Sequence, residues 1–156
     1  MHPNARLIET LYRSLAARDA AGMAPCYHPE IHFTDEVFDL RGAEVAAMWR
    51  MLCERGEDLS VEHHDVAADE ATGRAHWDAT YTFSATGRKV RNSIDASFRF
   101  RDGRIVRHVD RFDFWRWSRQ ALGLPGLLLG WSGLLRARVA RTAAGSLARY
   151  AAAGSG

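Results

Sequence analysis

The sequence predicts an α+β fold in which helices pack on one face of a strongly curved antiparallel sheet. Helical periodicity dominates the first part of the chain, whereas residues 59–117 have the pattern of four long strands joined by short turns. From residue 74 onward apolar and polar residues alternate, which is typical of strands with one buried and one polar face. The Asp102-Gly103 dipeptide predicts a tight hairpin turn, because glycine tolerates a positive φ. Helices followed by hairpins favour one helical layer against one sheet.

Three helices are expected before the long strands. Asn4 is a suitable N-cap for a helix over residues 5–18, which carries an apolar stripe at helical spacing. Asp19 is expected to cap a shorter second helix, which Pro25 kinks or shortens because proline lacks the backbone donor. A third helix is expected over residues 42–56, where apolar residues recur at i, i+3, i+4 and i+7.

Short strands are expected at residues 31–34 and 37–40, between the second and third helices. A long strand is expected over residues 59–68, ahead of the three hairpin strands. We expect residues 1–118 to contain all of these elements in a single domain, because a chain of 156 residues is of ordinary one-domain size.

Composition restricts the classes of function. Lys and Arg number 21 against 19 Asp and Glu, so the net charge of +2 provides no excess for binding a polyanion, and no nucleic-acid partner is expected. Cys26 and Cys53 form neither a CxxC motif nor a metal-like cluster, which indicates a reduced, cytoplasmic setting. The first residues lack the apolar core of a signal peptide, which favours the same expectation.

The last part of the chain is expected to be a helical appendage, residues 119–150, of the same domain, followed by a disordered tail, residues 151–156. Its leucines and Trp131 are too numerous to leave in water, so we expect them to pack over the open end of the sheet or against a partner subunit. A membrane-surface anchor is the less favoured alternative, because the arginines suit it and the glycines do not.

Titratable residues at mid-strand are the first candidates for a site. In the last strand alternation places Val106, His108, Asp110 and Phe112 on one face, with Ile105 on the other. In the strand before it, Asp95 lies on the polar side. A carboxylate at mid-strand needs solvent or a polar pocket, because an unpaired buried charge is costly. We favour a pocket.

Three segments, in this order, resemble the nuclear transport factor 2-like superfamily, and specifically its branch of SnoaL-like polyketide cyclases, ketosteroid isomerases and limonene epoxide hydrolases. They are LIETLYRSLAARD, YHPEIHFTDEV and FRFRDGRIVRHVDRFD. The resemblance spans about residues 4–117. It implies a cone-shaped, cystatin-like α+β fold whose curved sheet and helices enclose an apolar pocket, usually in a homodimer.

The resemblance also implies catalytic residues. EIHFTDEV resembles the isomerase segment with the proton-shuttling aspartate, which places Asp35 in that role. SIDASFRF resembles the segment that holds the protonated acid of the oxyanion hole, which places Asp95 there. RIVRHVDRFD resembles the last strand of the epoxide hydrolases, so Asp110 matches an acid/base aspartate. HWD resembles their Arg-x-Asp segment, with His76 in place of the arginine and Asp78 as the acid.

Each candidate also has a purely structural interpretation. Asp95 could be a solvated strand residue paired with a neighbouring arginine, and Asp35 a turn former before the third helix. Asp110 could make a hydrogen bond that closes the fold, and His76 and Asp78 could form an ordinary exposed pair. The residues expected to contact a substrate are His108, Trp49, Tyr12, His32 and Phe112.

Two functions remain open at this point. The first is a cofactor-independent enzyme that acts on a small hydrophobic molecule by acid/base chemistry, as an isomerase, cyclase or epoxide hydrolase, since carboxylates in one apolar pocket acquire different pKa values. The second is a non-catalytic ligand-binding or dimerisation module of the same fold. No cofactor is expected. No metal is expected either, because the histidines lack a zinc-binding spacing such as HExxH.

Overall fold

The computed structural model of the chain describes residues 1–154 and contains a curved six-stranded sheet packed against helices, which confirms the predicted α+β fold. The helices are α1 (Pro3–Ala16), α2 (Ala20–Met23), α3 (Ala43–Arg55), α4 (Phe114–Leu122), α5 (Leu124–Leu129) and α6 (Gly133–Gly154), and a 3-10 turn spans Ala24–Cys26. The strands are β1 (Tyr27–Thr34), β2 (Asp39–Arg41), β3 (Ser60–Ala68), β4 (Thr72–Phe83), β5 (Arg88–Arg101) and β6 (Arg104–Arg111).

The sheet has the strand order β2-β1-β6-β5-β4-β3. Neighbouring strands run antiparallel except β1 and β6, which run parallel. β1 begins four residues earlier than expected, at Tyr27, because its start pairs with Ile105 of β6. The parallel pair places β1 beside the strand that carries His108 and Asp110.

The start of α1 differs from the sequence expectation. The helix begins at Pro3, and the side chain of His2 caps it by accepting from the backbone N–H of Asn4. Asn4 is buried and donates to the carbonyl oxygen of Asp69, in the turn between β3 and β4. The expected capping role of Asn4 is therefore wrong, because a tertiary contact uses its amide instead. The expected cap of α2 is confirmed: Asp19 accepts from the N–H of Gly22.

The two faces of the sheet differ in polarity. On β5 the residues that face the helices are buried, namely Val90, Asn92, Ile94, Ala96 and Phe98. Those that alternate with them are exposed, namely Arg91, Ser93, Asp95, Ser97 and Arg99. The outer face can therefore remain in contact with water, as is common for antiparallel sheets.

The segment after β6 is folded. Trp117 of α4 donates from Nε1 to the hydroxyl of Tyr81 at 2.8 Å, and with Phe114 it forms a second apolar cluster over β5. Leu147 of α6 is buried in the main core, where α6 packs against α3. The helix continues to Gly154, so the expectation of a disordered tail is wrong for residues 151–154, while residues 155–156 lie outside the described part.

Much of the apolar surface of the segment after β6 is exposed to solvent. The exposed large side chains of α5, the turn after it and the start of α6 are Leu124, Leu127, Leu128, Leu129, Trp131 and Leu134. Trp131 is 77% and Leu134 is 84% exposed, so these two residues do not pack over the open end of the sheet within the chain. Packing against a partner subunit, the other expectation, stays a prediction. The glycines at 123, 130 and 133 separate the short helices, and α4 and the second half of α6 make the contacts with the sheet and α3 instead. None of the helices within residues 1–154 combines the length and hydropathy needed to cross a bilayer.

Candidate active site

His108 and Asp110 form a buried polar pair in the middle of the sheet. His108 Nε2 lies 2.8 Å from Asp110 Oδ1, and the two side chains are 0% and 3% exposed. Both belong to β6, where residues two apart point to the same face, as expected. Ile105 is also fully buried, contrary to simple alternation, because β6 has one extra residue opposite the Arg99–Phe100 step of β5.

Hydrogen bonds extend this pair to three aromatic residues from other elements. Tyr27 Oη lies 3.0 Å from His108 Nδ1, and Trp49 Nε1 donates to Tyr27 Oη at 3.0 Å. At the other end Trp77 Nε1 donates to Asp110 Oδ1 at 3.3 Å. All donors are satisfied when Tyr27 donates to His108 Nδ1 and His108 Nε2 donates to Asp110. We call these five residues the buried relay.

Tyr12 places a hydroxyl group beside this relay without a partner. Its side chain is 0% exposed, and within residues 1–154 its hydroxyl makes no hydrogen bond. Its ring packs against Trp77 at a centroid distance of 5.6 Å. Burial, and then the negative charge of Asp110, raises the pKa of Tyr12 well above its ordinary value. The hydroxyl therefore stays protonated and can donate to a bound molecule.

Asp35 lies in the turn between β1 and β2. Its Oδ1 accepts from the N–H groups of Val37 and Phe38 at 2.7 and 2.6 Å, so the residue does form the turn. The pKa of Asp35 is nevertheless raised to about 7. Burial is the largest cause, the two hydrogen bonds act against it, and of the relay residues Asp110 raises the pKa whereas His108 lowers it. Asp35 is therefore close enough to the buried relay to interact electrostatically with it.

The other three predicted catalytic residues lie on the outer face of the sheet. Asp95 has a side chain that is 84% exposed and lies 2.9 Å from His76 Nδ1, and Asp78 lies 3.4 Å from His76 Nε2. On β4 the residue that faces inward is Trp77, between them. The expected convergence of Asp95 with Asp110 does not occur, because Asp110 pairs across the strands with Ala96 and so points to the opposite face.

The expected substrate contacts are also divided. Trp49 and Tyr12 lie at the buried relay, as described. His32 lies near the sheet edge, where its Nε2 is 2.7 Å from Asp39 Oδ1 and away from the relay. Phe112 is partly buried and packs against both apolar clusters, between the core and α4. The place of Tyr27 in the relay was not expected from the sequence, because it depends on the parallel pairing of β1 with β6.

The pockets that open at the surface include two with volumes of about 420 and 350 Å³. The larger lies between β1 and α3, and Tyr27, Ile31, Val45 and Arg104 are among its lining residues. The smaller lies at the β3–β4 turn. Of the buried relay, Tyr27 lines the larger pocket, whereas neither pocket is lined by His108 or Asp110. A molecule that is to reach the carboxylate has to displace the side chains that cover it.

The arrangement is suited to moving a proton in an apolar surrounding. Asp110 Oδ1 accepts from two donors, which leaves Oδ2 free to take a proton, and the Tyr12 hydroxyl is a nearby donor. The sequence does contain a signal for the inward position of Trp77. Ala75, Trp77 and Ala79 alternate with the polar His76 and Asp78, so Trp77 lies on the apolar face of its strand.

Comparisons with solved structures show the same fold in several proteins. An LEH-like epoxide hydrolase from M. tuberculosis is 21% identical, covers 81% of this chain and 96% of its own, and has a TM-score of 0.65. A candidate polyketide cyclase from Xanthomonas campestris is 16% identical over 76% of this chain and 96% of its own, with a TM-score of 0.64. IdmH, a candidate polyketide cyclase from Streptomyces antibioticus, is 19% identical over 79% of this chain and 100% of its own, also with a TM-score of 0.64.

Comparison with curated protein sequences finds no match. The profile of the SnoaL-like domain matches residues 8–108, which extend from α1 to His108. This range is well over half of the chain and includes every strand except the end of β6. The chain therefore belongs to the SnoaL-like domain family of the nuclear transport factor 2-like superfamily.

Proposed function

We propose that this protein is a cofactor-independent enzyme that transfers protons on a small hydrophobic molecule, with Asp110 as the proton acceptor. The observation that carries the proposal is the His108–Asp110 pair, buried in an aromatic interior and oriented by Tyr27 and Trp77. Two titratable groups that are fully removed from water are costly unless they are paired, and such groups cluster at functional sites. Family membership and an epoxide hydrolase among the structural neighbours support the same class of chemistry.

In the proposed reaction a carbonyl substrate binds with its oxygen toward Tyr12. Asp110 Oδ2 removes the proton next to the carbonyl, and the electron pair of that C–H bond moves toward the oxygen. The Tyr12 hydroxyl hydrogen-bonds to the resulting negative charge. In a substrate whose C=C bond is next to the carbon that loses the proton, Asp110 returns the proton to the far carbon of that bond, and the C=C bond shifts into conjugation with the carbonyl. His108 holds the Asp110 carboxylate in position and stabilises its charge until it takes the proton.

Asp35 is proposed as a second proton-carrying group. With a pKa of about 7 it exchanges a proton near neutral pH, whereas an ordinary aspartate is fully ionised there. Asp95, His76 and Asp78 have no role in this proposal, because they lie on the other face of the sheet.

A non-catalytic binding module is the second candidate, and one observation favours it. The relay is covered by aromatic packing: Phe98 and Phe33 lie 4.5 and 4.9 Å from the His108 ring, centroid to centroid. An interior that is filled in this way is consistent with Asp110 serving only as a hydrogen-bonded core residue.

The two candidates differ in what Asp110→Asn does. The change keeps the shape of the side chain and removes its basicity, so turnover should fall by about 100-fold or more in a screen of ketone, epoxide and polyketide-like substrates. Asp95→Asn on the outer face is the matched control and should retain full turnover. If the wild type turns over a substrate and Asp110→Asn is equally fast, the proposed role of Asp110 is wrong. Substrate-like ligands that quench Trp49 and Trp77 fluorescence without being converted would support the binding module.

For partners and location we propose a homodimer in the cytoplasm. The outer face of the sheet carries charges of both signs, including Arg91, Arg99 and Asp95, which can pair with the same surface of a second copy about a twofold axis. Cys26 and Cys53 are buried and free of disulfides, which is consistent with a reducing compartment.

A further inference from the structure

The outer face of the sheet holds a cluster of His64, His76 and Asp78, separate from the buried relay. β3 and β4 are in register so that His64 stands directly opposite His76, and Asp78 follows two residues later on the same face. The nearest potential ligand atoms of the three side chains all lie within 4.8 Å of one another. The sequence does not show this cluster as a motif, because it arises from the register of two strands.

Both imidazoles are already oriented by carboxylates. His76 Nδ1 lies 2.9 Å from Asp95 Oδ1, and His64 Nδ1 lies 2.8 Å from Asp65 Oδ2. Asp65 reaches His64 because it sits at a bulge in β3 with a φ of 57°. In each ring the Nδ1–H can donate to its carboxylate, which leaves the lone pair on Nε2. Metal-binding histidines in proteins generally have this arrangement, in which a carboxylate fixes the tautomer and raises the basicity of the ligating nitrogen.

Asp78 is the third side chain of the cluster, after the two histidines. Asp78 Oδ1 lies 3.4 Å from His76 Nε2, and Ser93 donates a hydrogen bond to the same carboxylate oxygen. Ser93 thereby holds Asp78 in place and leaves Oδ2 free. His76 and Asp78 are 25% and 16% exposed, whereas His64 is 56% exposed and has room to adjust.

We propose that His64 Nε2, His76 Nε2 and Asp78 bind one divalent transition-metal ion, with zinc as the ion that this ligand set fits best. Two imidazoles and one carboxylate are a common zinc ligand set, at bond lengths of about 2.0 to 2.2 Å. Tetrahedral coordination places neighbouring ligand atoms about 3.3 Å apart. His76 Nε2 and Asp78 Oδ1 already lie 3.4 Å apart, so the exposed His64 side chain is the one that has to move closer when the ion binds.

The site has consequences for what the ion can do. Three protein ligands leave a fourth position, as in zinc sites that bind a water molecule or an exchangeable ligand. In the monomer this position is open to solvent, and in the proposed dimer it faces the second copy. Asp95 and Asp65 are positioning residues here, since they act on the ion only through the histidines. The site is independent of the proposed reaction at Asp110, because the two lie on opposite faces of the sheet.

The competing explanation is a purely ionic cluster, in which a protonated His76 pairs with Asp78 and Asp95 and no metal binds. Calorimetric titration of the full chain with ZnCl₂, after removal of any polyhistidine tag, separates the two. We expect saturable binding of one Zn²⁺ per chain, in monomer or dimer, and visible absorption bands of tetrahedral Co²⁺ when cobalt replaces zinc. Absence of saturable Zn²⁺ binding to the folded wild type would overturn the proposal.

Variants of the proposed ligands test where the zinc ion binds. His76→Ala and Asp78→Asn should each weaken zinc binding by about 100-fold, and Asp95→Asn by about 10-fold, because it loosens the orientation of His76. His32→Ala is the matched control, since His32 is also paired with an aspartate, Asp39, and should leave zinc binding unchanged. Asparagine has nearly the same shape as aspartate, so Asp78→Asn should fold and still tests the ligand set if His76→Ala does not fold. If Asp78→Asn binds zinc like the wild type, the proposed ligand set is wrong.

Discussion

The hydroxyl group of Tyr27 is hydrogen-bonded to two side chains, whereas that of Tyr12, which is also buried near Asp110, has no partner within residues 1–154. Both tyrosines have a pKa raised well above the ordinary value, with burial as the largest cause and the charge of Asp110 next. One hydroxyl is therefore part of the packed structure, and the other is held in the interior at a cost in stability. This contrast is expected where a protein keeps a polar group for a ligand.

Tyr12→Phe and Tyr27→Phe should have opposite effects on stability. Removing the unpartnered hydroxyl of Tyr12 should raise the free energy of unfolding by about 1 kcal/mol or more, because a buried polar group without a hydrogen bond is destabilising. Tyr27→Phe should lower it by about 1 to 3 kcal/mol, because Trp49 and His108 each lose a partner. Chemical denaturation of the two variants measures both changes. A clear loss of stability in Tyr12→Phe would show that its hydroxyl is satisfied in solution.

The stability of the protein should depend on pH through Asp35. Its carboxyl has a pKa of about 7 in the folded protein, against 3.8 as the ordinary value, so the folded state holds a proton that the unfolded state has lost. Because the folded state binds more protons in this range, the free energy of unfolding should fall as the pH rises from about 4 to about 7. One pKa unit corresponds to about 1.4 kcal/mol, so the contribution is at most about 4 kcal/mol.

Asp35→Asn tests this dependence. The asparagine Oδ1 can still accept from Val37 and Phe38, so the turn should persist while the titration is removed. Denaturation at several pH values should show a flatter profile and a more stable variant above pH 7. Glu57→Gln is the control, because that side chain is exposed and should leave the profile unchanged. Equal pH profiles for Asp35→Asn and the wild type would contradict the raised pKa.

The last helix should contribute to the stability of the whole fold. Leu147→Ala removes a side chain that is 5% exposed in the main core, and should lower the free energy of unfolding by about 2 to 4 kcal/mol. Leu134→Ala, in the same helix but 84% exposed, should change it by less than about 0.5 kcal/mol. Leucine and alanine are both good helix formers, so propensity differs little between the two sites. Equal effects of the two changes would indicate that α6 does not pack on the core.

The homodimer should form through the outer face of the sheet. Sedimentation should show a dimer at micromolar concentration, and because that face is polar, high salt should weaken the dimer. Ser97→Lys, in the middle of the face, should favour the monomer by adding a charge. Thr10→Lys, on the exposed side of α1, should leave the dimer intact. A wild type that sediments as a monomer, or a dimer that dissociates with Thr10→Lys and not with Ser97→Lys, would exclude this interface.

The sequence alone determined the fold class, the three N-terminal helices and the shared face of His108 and Asp110. These features depend on periodicity and on turn residues, which are local properties of the chain. Alternation along β4 also separates the face of His76 and Asp78 from that of Trp77. Alternation placed Asp95 on the polar face of its strand, whereas the resemblance of SIDASFRF to the isomerase segment led us to expect it beside Asp110. The structure agrees with the alternation, because the apolar face of β5 is the one that meets the helices.

Only the tertiary structure decided which groups meet. The parallel pairing of β1 with β6 brings Tyr27 to His108, and the register of β3 with β4 brings His64 to His76. A bulge in β6 buries Ile105 together with His108, and packing on α3 buries Leu147 while Leu134 stays in water. Each of these contacts joins residues that are distant in the chain or depends on a β-bulge. Local pattern does not reveal a bulge, and a one-residue change of register reverses the face of every side chain that follows.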